Sequence, residues 1–395
     1  NYGYFSYFGD GETLMYAPGF EKSTFGVDIK ILAAKLDYTQ KLGKGNIETG
    51  VKYSNVQSDN DVNFKNLVGS NWQNNTNRSN IFNYEEQILA GYFDYNTNIK
   101  KWGIKAGLRG EYTISDGHSI TQNKQVKRDY FDLFPSASLS YNAHENHVFA
   151  LSYSRKVSRP NYRNLNPFEY YVDKRTYNKG NPYLNPQYTD GFALNYTLYK
   201  RFNIALGHDI TKGAMTESLG QDTVLKTTWI TRENLGEQTT SYINLSIPYR
   251  IGKVWTMFNN ITGIYMHFKG PISGYDVNLG SAFIQANMNN NFRFSKQLSG
   301  EMSLRYNSPF IYNMYKIQRR WGTDIGATYN LKDERTSLKL AVTDIFHTNH
   351  NNVFTEFKEF NSRIYQYRDS QTVRLTLTYK FGNLKQSIRR VNDSS

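Results

Sequence analysis

The sequence predicts an all-β fold, an antiparallel transmembrane β-barrel, on three observations: alternation with a period of two, segregation of charge to one face, and composition. Ala137, Leu139 and Tyr141 alternate with Ser136, Ser138, Ser140 and Asn142, and after a turn Phe149, Leu151 and Tyr153 alternate with Ala150, Ser152 and Ser154. Such a period puts large apolar side chains on one face of a strand and small polar ones on the other. The register recurs along the chain in segments of about ten residues, the length a tilted strand needs to cross a bilayer.

The charges identify the faces. Trp102, Ile104, Ala106, Leu108 and Tyr112 form an uncharged row opposite Gly103, Lys105, Gly107, Arg109 and Glu111. Val373, Leu375, Leu377, Tyr379 and Phe381 do the same opposite Thr372, Arg374, Thr376, Thr378 and Lys380. A charge facing lipid at the midplane costs roughly 2–4 kcal/mol, so the charged row looks into the lumen. A soluble sandwich alternates too, but its core favours Val, Ile and Leu. Here Tyr, Trp and Phe gather near strand ends, as a membrane girdle requires.

Composition agrees. The chain is 15% aromatic, with 32 Tyr, and its mean hydropathy is −0.66, too polar for a helical membrane protein. A barrel hides its membrane face in alternate positions instead. The absence of Cys excludes disulfides, thiol nucleophiles and thiolate metal sites. The net charge of +13 is read as spread over strands and turns rather than gathered in one stripe, which argues against nucleic acid. Outer-membrane lipid and lipopolysaccharide are the expected counterparts, with lumenal Arg for an anionic solute second. No nucleophile elbow, phosphate loop or zinc signature is present, so no catalytic residue, metal or cofactor is expected. His144 with His147, and His347 with His350, are read as solvated turn and loop residues.

Turn lengths give the topology. Short connections fall at Gly43 to Asn46, Lys100 and Lys101, Ala143 to Asn146, Lys200 and Arg201, Gly252 and Lys253, Lys296 to Ser299, and Lys332 to Arg335. They carry hairpin residues and are expected on the periplasmic side. Long connections run from Asn60 to Asn80, Asp116 to Lys127, Arg159 to Gln187, Leu219 to Lys226, Gly270 to Asn278, Asn313 to Gln318 and Asn349 to Tyr365, and are expected outside the cell. About fifteen strands follow, with Tyr2 to Phe8 as the tail of one more, an even count of the kind single-chain barrels use. The barrel then occupies 1–382 and its C-terminal end is periplasmic. Residues 383–395 read as a polar, disordered tail. Because residue 1 falls inside a strand, the reading expects the segment to be the C-terminal part of a longer chain.

The stretch from Tyr153 reads YSRKVSRPNYRNLNPFEYYVDKRTYNKGNPYLNPQYTDGFALNY. It resembles the outer-membrane β-barrel domain of Bacteroidota-type TonB-dependent receptors. In that family an Arg-Pro, a Leu-Asn-Pro-Phe and a Gly-Asn-Pro-x-Leu-x-Pro follow one another between two strands. They match Arg159 and Pro160, Leu165, Asn166, Pro167 and Phe168, and Gly180, Asn181, Pro182, Leu184 and Pro186. Further matches are LDYTQKLGKGNIETGVKY at Leu36 to Tyr53, RENLG at Arg232 to Gly236, Asp344 to Phe346 ending a late strand, and the closing YKFG at Tyr379 to Gly382. The resemblance implies a 22-strand barrel, a plug domain inside it, and uptake of a scarce nutrient (siderophore, glycan or peptide) driven by TonB. Plug and TonB box would lie upstream of Asn1. The alternatives are a self-contained 16-strand porin-like channel and, less economically, an outer-membrane lipase or protease.

The Arg159 to Gln187 connection is not floppy. Pro160, Pro167, Pro182 and Pro186 fix φ and restrict the residue before each. It either braces the barrel mouth or binds ligand. In the second reading Tyr162, Arg163, Tyr170, Tyr171, Lys174, Arg175 and Tyr177 line the ligand entrance, since rigid Tyr and Arg supply contact area at low entropic cost.

Overall fold

The computed structural model describes residues 2–8, 14–76, 78–172, 175–333, 335–357 and 360–382. The expected tail 383–395 and Lys174 lie outside them. Apart from one helical turn, Tyr162–Leu165, the regular elements are strands, and seventeen of these form one sheet. Sixteen follow one another as antiparallel neighbours, from Tyr2–Phe8 and Leu14–Leu42 at one edge to Thr336–Thr343 and Thr372–Tyr379 at the other. The seventeenth, Asn71–Asn74, folds back on the end of Gly45–Val68. Among the described residues Tyr2–Phe8 and Thr372–Tyr379 each pair with one neighbour only.

The register sorts the side chains as the alternation predicts. Phe93 stands opposite Leu108, Leu89 opposite Tyr112, and Tyr112 opposite Phe131, so apolar rows meet across strands on one face. That face is the exposed one. Leu108 is 50% exposed, whereas Thr113, on the polar face of the same strand, is 0% exposed. A water-soluble sheet would invert this arrangement. Lipid is the solvent that the outer row fits.

The strands outrun the bilayer. Trp102–Ser119 has 18 residues and Lys124–His144 has 21, where crossing needs about 9–11. Several expected loops are therefore strand: Asn60 and Asp61 belong to Gly45–Val68, and Asp116 to Trp102–Ser119. The reason is that outward positions turn polar above the membrane, at Asp59 and Asp61 for example. The hydrophobic alternation fades there while the backbone ladder continues.

The short-turn end adds a feature of charge that the linear pattern does not display. The short turns all lie at one end of the sheet, because they join alternate pairs of neighbouring strands. Lys41 and Lys44 flank the first, Lys100 and Lys101 make the second, and Lys200 and Arg201 make another. Arg250 with Lys253, and Arg293 with Lys296, flank two more. Ten of the 47 Lys and Arg thus share one rim, while most of the others are spread over strands and turns as expected. Linear reading missed this because neighbouring short turns lie tens of residues apart in sequence.

At the opposite end the connections fold on each other. Glu169–Tyr171 pairs with Thr176–Lys179, which runs parallel to Thr227–Asn234, itself paired with Met215–Asp222. Phe310–Tyr312, Tyr315–Ile317, Asn351–Phe357 and Phe360–Gln366 form a second small sheet.

Candidate ligand cavity at the long-loop mouth

The site is built on the Arg159 to Gln187 connection. Where the strand His147–Ser158 ends, Arg159 turns its guanidinium into the lumen. Its Nη2 donates to Glu111 Oε2 at 2.7 Å and to Thr113 Oγ1 at 3.0 Å, and its Nε donates to the Tyr130 hydroxyl at 3.2 Å. Glu111 also accepts from Arg109 Nε at 2.6 Å. The carboxylate is 8% exposed, and two guanidiniums compensate its burial. Arg109 and Glu111 share the charged row that the alternation turns into the lumen. The third partner comes from the loop.

Asn161 then caps the helical turn by accepting from the Asn164 N–H at 3.0 Å. The turn drives Leu165 into a cluster with Phe82, Tyr84 and Leu184, so the loop is sewn to the inner wall by apolar contact as well. Asn80 donates to Asn166 Oδ1 at 2.9 Å, and Asn166 Oδ1 also accepts from the Phe168 N–H at 3.1 Å. Arg128 Nη2 donates to the carbonyls of Pro182 (2.6 Å) and Leu184 (3.0 Å), whose own backbone pairing the prolines interrupt. Gly180 is a close approach: a Cβ there would stand 2.1 Å from the Asn166 carbonyl oxygen. The motif matches at Gly180 to Pro186 and Arg232 to Gly236 also touch. Asn185 N–H donates to Asn234 Oδ1 at 2.8 Å, Asn234 Nδ2 returns a bond to the Asn185 carbonyl at 2.9 Å, and Leu235 is fully buried.

Between this loop, the wall and the neighbouring hairpin lies a cavity of about 560 Å³. Phe25, Val27, Asn60 and Val62 face it from the wall. Tyr162, Arg163, Phe168 and Tyr170 face it from the loop, and Lys179, Glu217, Ile230 and Arg232 from the small sheet above. Phe168 stacks on Phe64 with centroids 5.9 Å apart, and Phe25 lies 6.4 Å from Tyr170. Lys179 Nζ sits 4.5 Å from the Trp229 ring centre. Among the described residues Arg163, Lys179 and Arg232 take part in no ion pair, although Arg232 stands across the ladder from Glu217. The lining is mainly apolar with an excess of cations. That chemistry suits an amphipathic solute carrying a negative group.

The expected entrance residues divide. Tyr162, Arg163 and Tyr170 line the cavity. Tyr171 and Tyr177 pack on each other with centroids 5.0 Å apart, Tyr177 lies on Trp229, and Arg78 covers Tyr171 at 4.4 Å. Burial and a hydrogen bond to Glu169 push the Tyr171 hydroxyl up to about 12. Arg175 offers its backbone carbonyl to Thr228 N–H at 2.7 Å. Lys179, Trp229 and Arg232 were not foreseen. Lys179 and Arg232 lie inside or beside motifs in sequence, and only the parallel pairing of Thr176–Lys179 with Thr227–Asn234 brings them together. Among the described residues no cluster of three or more His, Cys, Asp or Glu could hold a metal.

An antiparallel wall with an apolar exterior, a polar interior and a folded loop in its mouth defines an outer-membrane β-barrel. The chain belongs to the outer membrane protein beta-barrel family, whose profile matches residues 3–379. Its fold is similar to that of the siderophore receptor PiuA from Acinetobacter baumannii, at 15% identity and a TM-score of 0.64, covering 92% of this chain and 57% of that one. It is also similar to the copper transporter OprC (12%, 0.65, 92% and 57%). The ferric yersiniabactin uptake receptor FyuA from Yersinia pestis matches likewise (13%, 0.61, 92% and 55%). The chain therefore spans little more than half the length of these proteins. No curated protein sequence matches it.

Proposed function

We propose that this chain forms the main wall of a TonB-dependent receptor of the Bacteroidota type, part of a 22-strand barrel that imports a scarce nutrient across the outer membrane. The observation that carries this reading is the loop that closes on the inner wall yet leaves a cavity of about 560 Å³ with three cations facing it. A receptor needs a binding site with preorganised walls, and this loop, held to the wall by hydrogen bonds and apolar contact, supplies one. Tyr162, Arg163 and Tyr170 contact the ligand. Tyr171 and Tyr177 hold the small sheet that carries Lys179, and Arg175 extends the cationic rim of the entrance. A plug domain and a TonB box supplied by the rest of the protein couple binding to transport, and the C-terminal end is periplasmic. The solved neighbours named above, a siderophore receptor, a copper transporter and a ferric yersiniabactin receptor, favour a metal chelate over a glycan or peptide.

The test is uptake by cells carrying the full-length receptor, grown on a panel of ferric chelates, glycans and peptides. Arg163→Ala combined with Tyr170→Ala should lower affinity for the transported compound at least about tenfold, a loss of about 1.4 kcal/mol. Surface level should be unchanged, because loop tips add little to strand pairing. Unchanged uptake at normal surface level would assign the loop to bracing. Large, uniform pores formed by this segment alone in vesicles would favour the porin.

A further inference from the structure

The cations at the short-turn end take no part in the loop-mouth cavity, and among the described residues Lys101 and Arg250 donate only to backbone carbonyls, of Ala143 at 2.8 Å and Gly252 at 3.1 Å. Five of the short turns carry two cations each, ten in all, and none of the five holds a carboxylate. All ten are exposed. Among the described residues eleven ion pairs form, and none uses any of the ten. Eleven cations elsewhere, from Lys30 to Lys339, do have a carboxylate partner.

The cations share their level with an aromatic belt. Trp102 follows Lys101 directly and its ring lies 4.3 Å from that of Tyr141. The Arg201 guanidinium lies 5.3 Å from the ring of Phe202 and 5.8 Å from that of Tyr249, while its Nε donates to the Pro248 carbonyl at 2.9 Å. Tyr249 stands on the lipid side, 49% exposed. Arg201 is thus held on the outer flank of the wall rather than in the lumen. Amphipathic rings settle at headgroup depth, and long cationic side chains stretch toward it.

We propose that this rim is a binding surface for anionic phospholipid headgroups in the leaflet that meets the short turns. A phosphodiester accepts hydrogen bonds from Lys and Arg, and each cation near an anionic surface contributes about 1 kcal/mol. Arg201 and the turn cations beside the outward Trp102 and Trp255 fit a lipid annulus, while Lys41, Arg250 and Arg293 stand in the lumen-facing register; nucleic acid needs its cations on one continuous face. Lipopolysaccharide, the counterpart expected from net charge alone, occupies the opposite leaflet. The proposal rests on the reading that the wall crosses the membrane with its short turns periplasmic.

Of the five tryptophans, Trp102 and Trp255 lie at this rim. The full-length receptor in phosphatidylcholine vesicles is therefore titrated with brominated phosphatidylglycerol or brominated phosphatidylcholine, and tryptophan quenching gives the relative association constant. Phosphatidylglycerol should win by up to about fivefold per contacted cation, and high salt should erode the preference. Replacing Lys100, Lys101, Arg201 and Lys253 by Gln should abolish the preference while quenching by phosphatidylcholine persists. Replacing Lys124 and Lys127 by Gln, at the opposite end, should leave it intact. Equal association of the two lipids in the unaltered protein overturns the proposal, as does a preference that survives the rim variant or vanishes in the control. Quenching by neither lipid would instead overturn the membrane-spanning reading beneath it.

Discussion

Trp102–Ser119 and Thr372–Tyr379 carry the same alternation and sit in different surroundings. In the first, outward Leu108 is exposed while inward Thr113, Ser115 and Ser119 are buried, because strands flank both sides and the Arg159 loop covers the inner face. In the second every residue is exposed, and among the described residues the strand pairs with Thr336–Thr343 alone. Alternation therefore encodes direction, and what fills the lumen confers burial. In a membrane wall, polarity rather than exposure identifies the lipid face.

The sharpest way to break that comparison is to place a charge on the outer row of each strand. Leu108→Arg and Leu375→Arg should each cost about 2–4 kcal/mol if they lie near the midplane, since lipid meets both positions whatever lies behind them. Heat-modifiable mobility in detergent should show a loss of folded barrel for both. A defect at 108 with none at 375 would mean that burial within the sheet, not lipid, sets the cost. Arg109→Leu should be milder, because Glu111 keeps Arg159.

A smaller effect separates the filled lumen from the open wall. Arg159→Ala removes hydrogen bonds to Glu111, Thr113 and Tyr130. Bonds to charged groups contribute about 1.5–3 kcal/mol. The loss should appear as faster protease cleavage between 160 and 187, with barrel mobility unchanged. If cleavage stays slow, the apolar anchor at Leu165 and Leu184 holds the loop by itself.

The wall was legible because period two is a local property: strand count, lipid face and short turns all follow from neighbours a few residues apart. The cavity was legible only in part. Tyr162, Arg163 and Tyr170 could be picked out because prolines hold an aromatic and cationic loop in one shape. Lys179 and Arg232 could not, because a parallel pairing between two separate connections brings them together. The basic rim escaped for a similar reason, being assembled from turns far apart in sequence. Motif residues fared better than any physical reading of them alone: Asn185 and Asn234 belong to separate motifs and clasp each other.

The finest distinction lies just beyond Thr336–Thr343, the neighbour that Thr372–Tyr379 does have. Asp344 is 2% exposed, and its carboxylate accepts bonds from Ser370 Oγ at 2.5 Å, Thr348 N–H at 3.0 Å and Asn349 N–H at 3.2 Å. Burial alone would raise its pKa, but these bonds and nearby His347 outweigh it and hold the carboxyl below the usual carboxylate range. Its stabilisation is then complete above the unfolded carboxylate's pKa, about 3.9, and is lost as pH falls through the lower folded value. Asp344→Asn keeps the shape but loses the charge, and should weaken the turn at 344–349 by about 1–2 kcal/mol at neutral pH. Amide exchange in that segment should quicken below pH about 4 in the parent and become insensitive to pH in the variant, after correction for the intrinsic exchange rate. Equal acid sensitivity in both would move the effect to another carboxylate. Asp324, which accepts from the Asp344 N–H at 2.8 Å, is the first to examine.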